Sequence, residues 1–248
     1  MSVKIKLENV YKTFGKKVVL NNISLEIEEK KSLVILGRSG TGKSVLIKNI
    51  CSLMKPDSGH IFIDGFDVTK IKNNEEQEKL MNKFGFLFQN GALFDSLNIW
   101  KNVAFRLLNN NKMSETEAKK IAIEKLEIVG MDEKVAELFP CELSGGMQKR
   151  VALARAIATN PEIIFFDEPT TGLDPIMSEI INQLIIKTSK IVGATTITIT
   201  HDIHSAQTIA DDVILLDNGS IEWSGNVKNM TTSNNELLQK FLAYSKSK

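Results

Sequence analysis

The stretch Leu33-Val34-Ile35-Leu36-Gly37-Arg38-Ser39-Gly40-Thr41-Gly42-Lys43-Ser44 decides the fold of this chain. Its four apolar residues indicate a short buried strand, and the glycine-rich segment that follows leads into a helical pattern. In such a P-loop the backbone N–H groups approach phosphate oxygens, Lys43 reaches the β- and γ-phosphates, and the Ser44 hydroxyl ligates Mg²⁺. A simple glycine turn is a poor alternative because every fixed position is present. The sequence therefore predicts a nucleotide site formed by Gly37, Arg38, Ser39, Gly40, Thr41, Gly42, Lys43 and Ser44.

Composition and charge indicate a packed globular protein. The chain has 248 residues, 42% of them hydrophobic, which suits one large α/β domain or two small ones. Its 31 basic and 30 acidic residues leave a net charge of +1, so the charge balance does not predict nucleic acid as a partner. Cys51 and Cys141 lack the CxxC spacing of a metal or redox site, and we expect buried or incidental thiols in a reducing compartment.

The amino-terminal residues alternate between apolar and charged types, unlike the apolar core of a signal peptide. Apolar runs elsewhere are too short to cross a bilayer. We therefore expect a cytosolic or peripheral protein.

Two apolar patterns predict two kinds of strand. Alternation at 5–10, 23–27 and 61–63 indicates strands with one solvated face, as in an antiparallel sheet. Unalternating runs separated by helical patterns indicate buried, mostly parallel strands. These runs cover residues 33–36, 84–88, 163–166, 196–199 and 213–216. The sequence therefore predicts an α/β protein with an antiparallel flank.

The middle of the chain is almost wholly helical in pattern. Ser114-Glu115-Thr116-Glu117 offers a capped helix start, and Gly130 offers a stop. We therefore expect one domain over residues 1–248, with an inserted helical subdomain at about 90–160 and a helical tail at about 225–248.

A second chemical element is Ile163-Ile164-Phe165-Phe166-Asp167-Glu168. The predicted strand carries Asp167 to its end, where the carboxylate can hold Mg²⁺ through water. Glu168 is then placed to polarise an attacking water. Two adjacent carboxylates can instead form a solvated turn, but a P-loop upstream in the same chain favours the catalytic interpretation.

A third element, Leu143-Ser144-Gly145-Gly146-Met147-Gln148, precedes another helical pattern whose N–H groups can bind phosphate. This LSGGQ-like sequence, with Met147 in place of the usual glutamine, resembles the signature of ATP-binding cassette (ABC) ATPases. The resemblance covers essentially the whole chain. It implies a P-loop NTPase (RecA-like) core with an antiparallel β flank and an inserted α-helical subdomain. It also implies that the signature of one copy completes the ATP site of a second copy through Ser144, Gly145 and Gly146.

Three further residues match weaker positions of the ABC pattern. By resemblance, Phe14 would stack on adenine, Gln89 would ligate Mg²⁺ or the attacking water, and His201 would hydrogen-bond the γ-phosphate. Taken alone, each residue type is more often structural, but their order along the chain favours function. The resemblance thus implies ATP and Mg²⁺ as cofactors. It makes Lys43, Glu168 and His201 catalytic and places Ser44, Gln89 and Asp167 at the metal.

The loop after Gln89 indicates a subfamily. Gly91-Ala92-Leu93-Phe94-Asp95-Ser96 looks like the ATPase subunit of Mla-type (maintenance of lipid asymmetry) phospholipid transporters. Arg106 departs from that pattern, in which a proline is expected. The resemblance implies a peripheral ATPase on the cytoplasmic face of the inner membrane that energises phospholipid transport. Its implied partners are a second copy, a membrane permease, an MCE lipid-binding protein and a small STAS-domain protein, with no nucleic acid.

Segment 91–100 is too apolar to lie wholly in water. We expect part of it to enter the core and the rest to form one wall of a groove for a permease helix.

Three other functions stay open at this point. The chain could energise import of another substrate, such as an amino acid or an ion. It could be a soluble ABC protein acting on DNA or the ribosome, which the lack of a tandem cassette, zinc insertion or basic arm disfavours. It could also be a regulator that binds nucleotide without hydrolysis, which the presence of Glu168 and His201 disfavours.

Overall fold

The unalternating apolar runs form buried strands in the computed structural model, which describes residues 2–109 and 113–246. The strands of this part are β1 (Val3–Phe14), β2 (Lys17–Glu28), β3 (Ser32–Leu36), β4 (Ser58–Ile63), β5 (Phe66–Asp67), β6 (Phe84–Leu87), β7 (Ile163–Asp167), β8 (Thr195–Thr200), β9 (Asp212–Asp217) and β10 (Ser220–Asn226). The α-helices are α1 (Lys43–Ile50), α2 (Asn74–Asn82), α3 (Ile99–Asn109), α4 (Glu115–Ile128), α5 (Gly145–Ile157), α6 (Pro175–Val192), α7 (Ile203–Ile209) and α8 (Glu236–Lys246).

The chain divides into two compact units. The first contains the described residues of 1–82 and 195–248, and the second contains residues 83–194. Each unit has its own strands and helices.

The first unit contains the predicted antiparallel flank, with strand order β2-β1-β4-β5. Strand β1 pairs antiparallel with both β2 and β4. Ile5, Leu7 and Val10 of β1 are buried, whereas Lys6 and Glu8 between them are half-buried. This confirms the prediction from the alternating pattern.

The same unit holds the buried strands in the order β10-β9-β3-β8. Strand β3 runs parallel to β8 and to β9, as the unalternating runs predict. Every residue of β8 is buried. Strand β10 pairs antiparallel with β9 and was not predicted. Its hairpin turn is Asn218-Gly219, with φ of 46° and 78°, a two-residue turn that asparagine and glycine favour.

The second unit pairs β6 with β7 in parallel and surrounds them with helices. The rings of Phe84, Phe86 and Phe165 pack with centroids 5.2–6.1 Å apart. The predicted strand at 84–88 is one residue too long, because Phe88 lies outside β6 and is 47% exposed.

The predicted start and stop of α4 are both confirmed. Ser114 and Glu117 form a reciprocal capping box at its start. Gly130 follows its end with φ of 74°, in the left-handed region that favours glycine.

The end of the chain contains α8, within the predicted helical tail, while residues 247 and 248 lie outside the described part, as does Met1. Cys51 is buried and Cys141 is exposed, and both are free thiols. None of the helices in the described ranges combines the length and apolar character needed to cross a membrane.

Strand β6 and α5 are in close backbone contact at Gly85. A Cβ atom on Gly85 would lie 2.2 Å from the Ala156 carbonyl oxygen and 3.0 Å from Pro161 Cγ. We therefore expect Gly85→Ala to lower the free energy of unfolding by about 2 kcal/mol because the backbone must move apart. For a chain of this size that is a fall in Tm of about 6 °C in a thermal unfolding experiment.

Gly145→Ala is the matched control, since no heavy atom lies within 4 Å of the added Cβ. Its Tm should stay at the wild-type value. Equal Tm values for the wild type and the Gly85→Ala variant would contradict the packing described here.

Candidate nucleotide-binding site

The P-loop lies between β3 and α1 and closes around the ammonium group of Lys43. This side chain is 8% exposed, and its Nζ donates to the carbonyl oxygens of Gly37 at 2.6 Å and Arg38 at 2.7 Å. The Thr41 hydroxyl also donates to the Arg38 carbonyl, at 2.9 Å. The lysine is therefore held at the centre of the loop. Around it, Gly37 and Gly42 are buried, Thr41 is half-buried, and Arg38, Ser39, Gly40 and Ser44 are exposed.

Close packing explains why glycine is needed at two positions of the loop. A Cβ atom on Gly37 would lie 2.4 Å from the carbonyl oxygen of Leu216 in β9, and one on Gly42 would lie 2.6 Å from that of Val19 in β2. Gly42 also has φ of 107°. As the residue before α1 it provides no side-chain cap, so the first N–H groups of the helix can bind an anion.

Phe14 lies at the end of β1, in the hairpin with β2. Its ring is 49% exposed, and Lys12 Nζ lies 5.8 Å from the ring centroid. Asp57 holds this strand end by accepting from Lys12 Nζ at 2.7 Å and from Thr13 N at 2.7 Å. These bonds lower the pKa of Asp57 to about 2. Phe14 is therefore not core, and its ring surface can receive a planar base.

His201 follows β8 directly and is exposed. In the parallel pairing of β3 with β8, Leu36 is opposite Thr200. The next residues along the two strands are Gly37 and His201, and paired strands lie about 4.8 Å apart. The register therefore brings the histidine backbone beside the first glycine of the P-loop.

In the second unit, a parallel register brings Gln89 and the two acidic residues to the same sheet edge. Leu87 of β6 is opposite Phe166 of β7. Gln89 comes two residues after Leu87, and Asp167 and Glu168 come directly after Phe166. Gln89 is exposed, whereas both carboxylate residues are half-buried.

The backbone of Glu168 has φ of 48°, in the left-handed region. Its carboxylate accepts a hydrogen bond of 3.0 Å from the Thr171 hydroxyl, and its carbonyl accepts from Thr171 N at 3.2 Å. This conformation is uncommon for a residue such as glutamate, and residues held in it cluster at functional sites as well as in turns. Thr171 was not predicted to contribute to the site.

The predicted signature lies at the start of α5. Ser144 caps this helix, its Oγ accepting from Met147 N at 3.4 Å, and both Ser144 and Gly145 are exposed. Gly146 is buried, and a Cβ atom there would lie 2.3 Å from Cε of Met177. Asp174 caps α6 by accepting from Met177 N at 2.9 Å. The starts of α5 and α6 therefore pack together.

Two cations of α5 hold the loop after β6, and neither was predicted. Lys149 Nζ donates to the Gln89 carbonyl oxygen. Arg155 donates to the Gly91 carbonyl at 2.6 Å and to the Ala92 carbonyl at 2.8 Å. No sequence motif pointed to these contacts, because they join residues about 60 positions apart.

Arg106, which departs from the expected proline, lies within α3 and reaches β6. Its Nη1 donates to the Phe84 carbonyl oxygen at 2.6 Å. Burial lowers the pKa of this guanidinium. The helix continues through this position because arginine, unlike proline, retains the backbone N–H group.

The candidate metal ligands suit Mg²⁺ in their chemistry. Ser44 offers a hydroxyl, Gln89 an amide oxygen and Asp167 a carboxylate, and Mg²⁺ binds such hard oxygen donors together with water and phosphate.

A phosphate-binding loop followed by a helix, together with paired carboxylates at a strand end, defines a P-loop nucleotide hydrolase. The family described as ABC transporter matches residues 20–171. The chain belongs to the ABC transporter ATP-binding family, has the ABC ATPase fold and hydrolyses ATP.

Relatives with similar sequences are transport ATP-binding proteins. One is the probable ribonucleotide transport ATP-binding protein mkl of Mycobacterium leprae, 39% identical over 98% of this chain and 69% of the relative. Another is the intermembrane phospholipid transport system ATP-binding protein MlaF of Haemophilus influenzae, 36% identical over 96% of this chain and 89% of the relative.

A similar solved structure is the dimeric post-hydrolysis state of the ATP-binding cassette MJ0796 bound to ADP and Pi. It has a TM-score of 0.81 and 36% identity, covering 90% of this chain and 98% of that chain. The match confirms the predicted fold class.

We expect Glu168→Gln to lower ATP turnover by at least about 10²-fold, the scale for removal of a positioned base. ATP binding should persist, because the amide retains the size of the side chain and its acceptor for Thr171. Steady-state phosphate release and binding of a fluorescent ATP analogue measure the two quantities.

Glu162→Gln is the matched control, because Glu162 is an exposed residue of the same unit that pairs with Lys83 at 3.3 Å. It should turn over ATP at the wild-type rate. Near-normal turnover in the Glu168→Gln variant would remove Glu168 from the catalytic role.

Proposed function

We propose that two copies of this chain enclose two ATP molecules head to tail and energise phospholipid transport across a bacterial envelope. Each ATP would lie between the P-loop of one copy and the signature of the other. The exposed start of α5 at Ser144 and Gly145 supports this arrangement, because it leaves helix N–H groups at the surface for a phosphate of another copy. The dimeric MJ0796 structure is a precedent.

Within each site, Lys43 and the P-loop amides bind the phosphates, and Phe14 stacks on the adenine. Ser44, Gln89 and Asp167 would hold Mg²⁺, which neutralises phosphate charge when bound. Glu168 orients and polarises the attacking water, and His201 stabilises the γ-phosphate. Ser144, Gly145 and Gly146 of the second copy complete the site.

The phospholipid assignment is supported by the loop between β6 and α3. Its Gly91-Ala92-Leu93-Phe94-Asp95-Ser96 sequence has the Mla-type pattern, and MlaF is among the relatives. The mkl relative is named for ribonucleotide transport, so the fold alone does not select the substrate. A permease and an MCE lipid-binding protein would supply the lipid path, with the ATPase on the cytoplasmic face of the inner membrane.

A pair of exposed aromatic rings supplies the surface for the permease. Phe94 is 42% exposed and Phe105 is 37% exposed, and their ring centroids lie 4.4 Å apart. Ile99 and Trp100 enter the core, as expected for part of segment 91–100. Apolar rings in contact at a surface suit the apolar face of a short helix.

The loop that carries Phe94 is fixed by one buried amide. Asn102 is 0% exposed, and its Oδ1 accepts from Phe94 N at 2.7 Å. Its Nδ2 donates to the carbonyl oxygens of Phe94, Leu97 and Asn98 at 2.9–3.2 Å. The docking surface is therefore built before a partner arrives, which reduces the entropy lost on binding.

The signature in this arrangement acts on the opposite copy. We expect Ser144→Arg to abolish hydrolysis while the monomer still binds ATP, because the bulky cation blocks closure of the dimer. Lys43→Ala should be inactive through loss of phosphate binding. A mixture of the two variants forms heterodimers with one intact site and one doubly altered site, so ATPase activity should return in part.

Size-exclusion chromatography with one variant tagged establishes that the heterodimer forms. A mixture that contains heterodimers and stays inactive would contradict the head-to-tail arrangement. Each variant alone, at the total protein concentration of the mixture, is the control for an effect of concentration on ATPase activity.

The permease surface is tested by Phe94→Glu in the complete transporter. A carboxylate in an apolar contact should weaken assembly by about 2 kcal/mol or more, while the isolated ATPase keeps its Tm and ATP binding. Pull-down by the tagged permease measures assembly, and ATPase activity in phospholipid nanodiscs measures coupling.

Phe66→Glu is the matched control, since Phe66 is 53% exposed in β5 of the other unit and should not affect assembly. Normal assembly of the Phe94→Glu variant would place the docking surface elsewhere. The substrate assignment is tested on the unmodified complex. It would be overturned if an added amino acid or ribonucleotide stimulated the ATPase and the purified complex contained no phospholipid.

A further inference from the structure

Lys149 is a buried cation that contacts the main chain of a proposed site residue of the second unit. It lies on α5, just over one turn after the Ser144 cap, and is 6% exposed. Its ammonium group donates to the carbonyl oxygen of Gln89. A lysine is rarely buried to this degree unless charge and hydrogen-bonding partners compensate for the lost hydration.

Two carboxylates supply the compensating charge. Burial lowers the pKa of Lys149, and the negative charges of Asp167 and Glu168 oppose that effect. These are the residues that follow β7, at the sheet edge where Gln89 follows β6. The ammonium group therefore binds the Gln89 main chain at the sheet edge that also carries the two acidic residues.

The same helix holds the next part of the loop through Arg155. Its bonds to the carbonyl oxygens of Gly91 and Ala92 fix a segment in which both residues have positive φ, 70° and 50°. For alanine this conformation costs about 1 to 2 kcal/mol, so it persists only where contacts such as these compensate. With Lys149 included, α5 binds three carbonyl groups between Gln89 and Ala92.

We propose that Lys149 is a positioning residue for ATP hydrolysis, which fixes the main chain of Gln89 at the sheet edge where Asp167 ends β7 and Glu168 follows. The inference rests on the proposed roles of those three residues. Because α5 begins at the signature, the bond from Lys149 couples the position of this helix to that of the loop containing Gln89. A displacement of the signature during closure would then move Gln89 directly.

The test replaces Lys149 by methionine in the full chain, which keeps the aliphatic length and removes both the charge and the donor. We expect kcat to fall by about tenfold, the scale for loss of a residue that orients a site ligand. The KM for ATP should change by less than about twofold, since the P-loop is untouched.

Amide hydrogen exchange provides a readout independent of turnover. Gly91 N donates to the Phe88 carbonyl at 2.8 Å, so a loosened loop should exchange this amide faster. We expect about tenfold faster exchange in the peptide covering 88–92 of the Lys149→Met variant. Lys149→Arg retains the charge and a donor and should restore both exchange protection and kcat in large part.

Lys187→Met is the matched control, because Lys187 also donates to a main-chain carbonyl, that of Ile128 at 3.1 Å, elsewhere in the same unit. It should leave kcat and exchange at 88–92 unchanged. Normal kcat and exchange in the Lys149→Met variant would overturn the proposal. A second outcome would also overturn it: faster exchange throughout the unit, together with a fall in kcat equal to the unfolded fraction. Lys149 would then be an ordinary core residue.

If Lys149→Met does not fold, Lys149→Gln is measured in its place with the same expected and opposing results. Glu168→Gln separates this proposal from the function on which it rests. Turnover retained by Glu168→Gln would overturn the site assignment itself. If Glu168→Gln loses turnover but the Lys149 variant has normal kinetics and exchange, only the role of Lys149 is overturned.

Discussion

The parallel pairing of buried strands is the constraint on which the candidate site depends. Parallel strands in register end at the same edge of a sheet, so residues distant in sequence become neighbours. In the first unit the pair Leu36 and Thr200 aligns the P-loop with His201. In the second unit the pair Leu87 and Phe166 aligns Gln89 with the acidic residues. A shift of one residue in either pairing would separate these groups by about 3.3 Å along the strand.

The irregular loops at those strand ends are stabilised by long cationic side chains that bind main-chain carbonyl groups. Lys43 donates to carbonyl groups of the P-loop, and Lys149 and Arg155 donate to carbonyl groups of the loop after β6. Carbonyl groups in such loops have no ladder partner, and leaving them unpaired in a buried place is costly. These cations carry a structural role beside any interaction with phosphate or carboxylate, so their charge and their donor function have to be tested separately.

The sequence was sufficient to predict the elements whose signals are local. The P-loop, the buried runs and the α4 cap each occupy one short stretch, and the structure has all of them. Strand β10 is preceded by the local turn signal Asn218-Gly219, but its own residues alternate only weakly in hydrophobicity, so their pattern does not predict a strand. The contacts of Lys149, Arg155 and Asn102 could not be predicted, since helix periodicity places a side chain on a face and does not specify which carbonyl it meets.

Asn102 holds the shape of the loop before α3 through bonds that do not involve the loop's side chains. The amide contacts only main-chain atoms of residues 94–98, and it does so from a helix position fully shielded from water. Being neutral, it is insensitive to pH and salt over the range in which carboxylates and histidines titrate. The exposed side chains of this loop can therefore be replaced without loss of the bonds that hold its main chain, so the chemistry of its surface is separable from its shape.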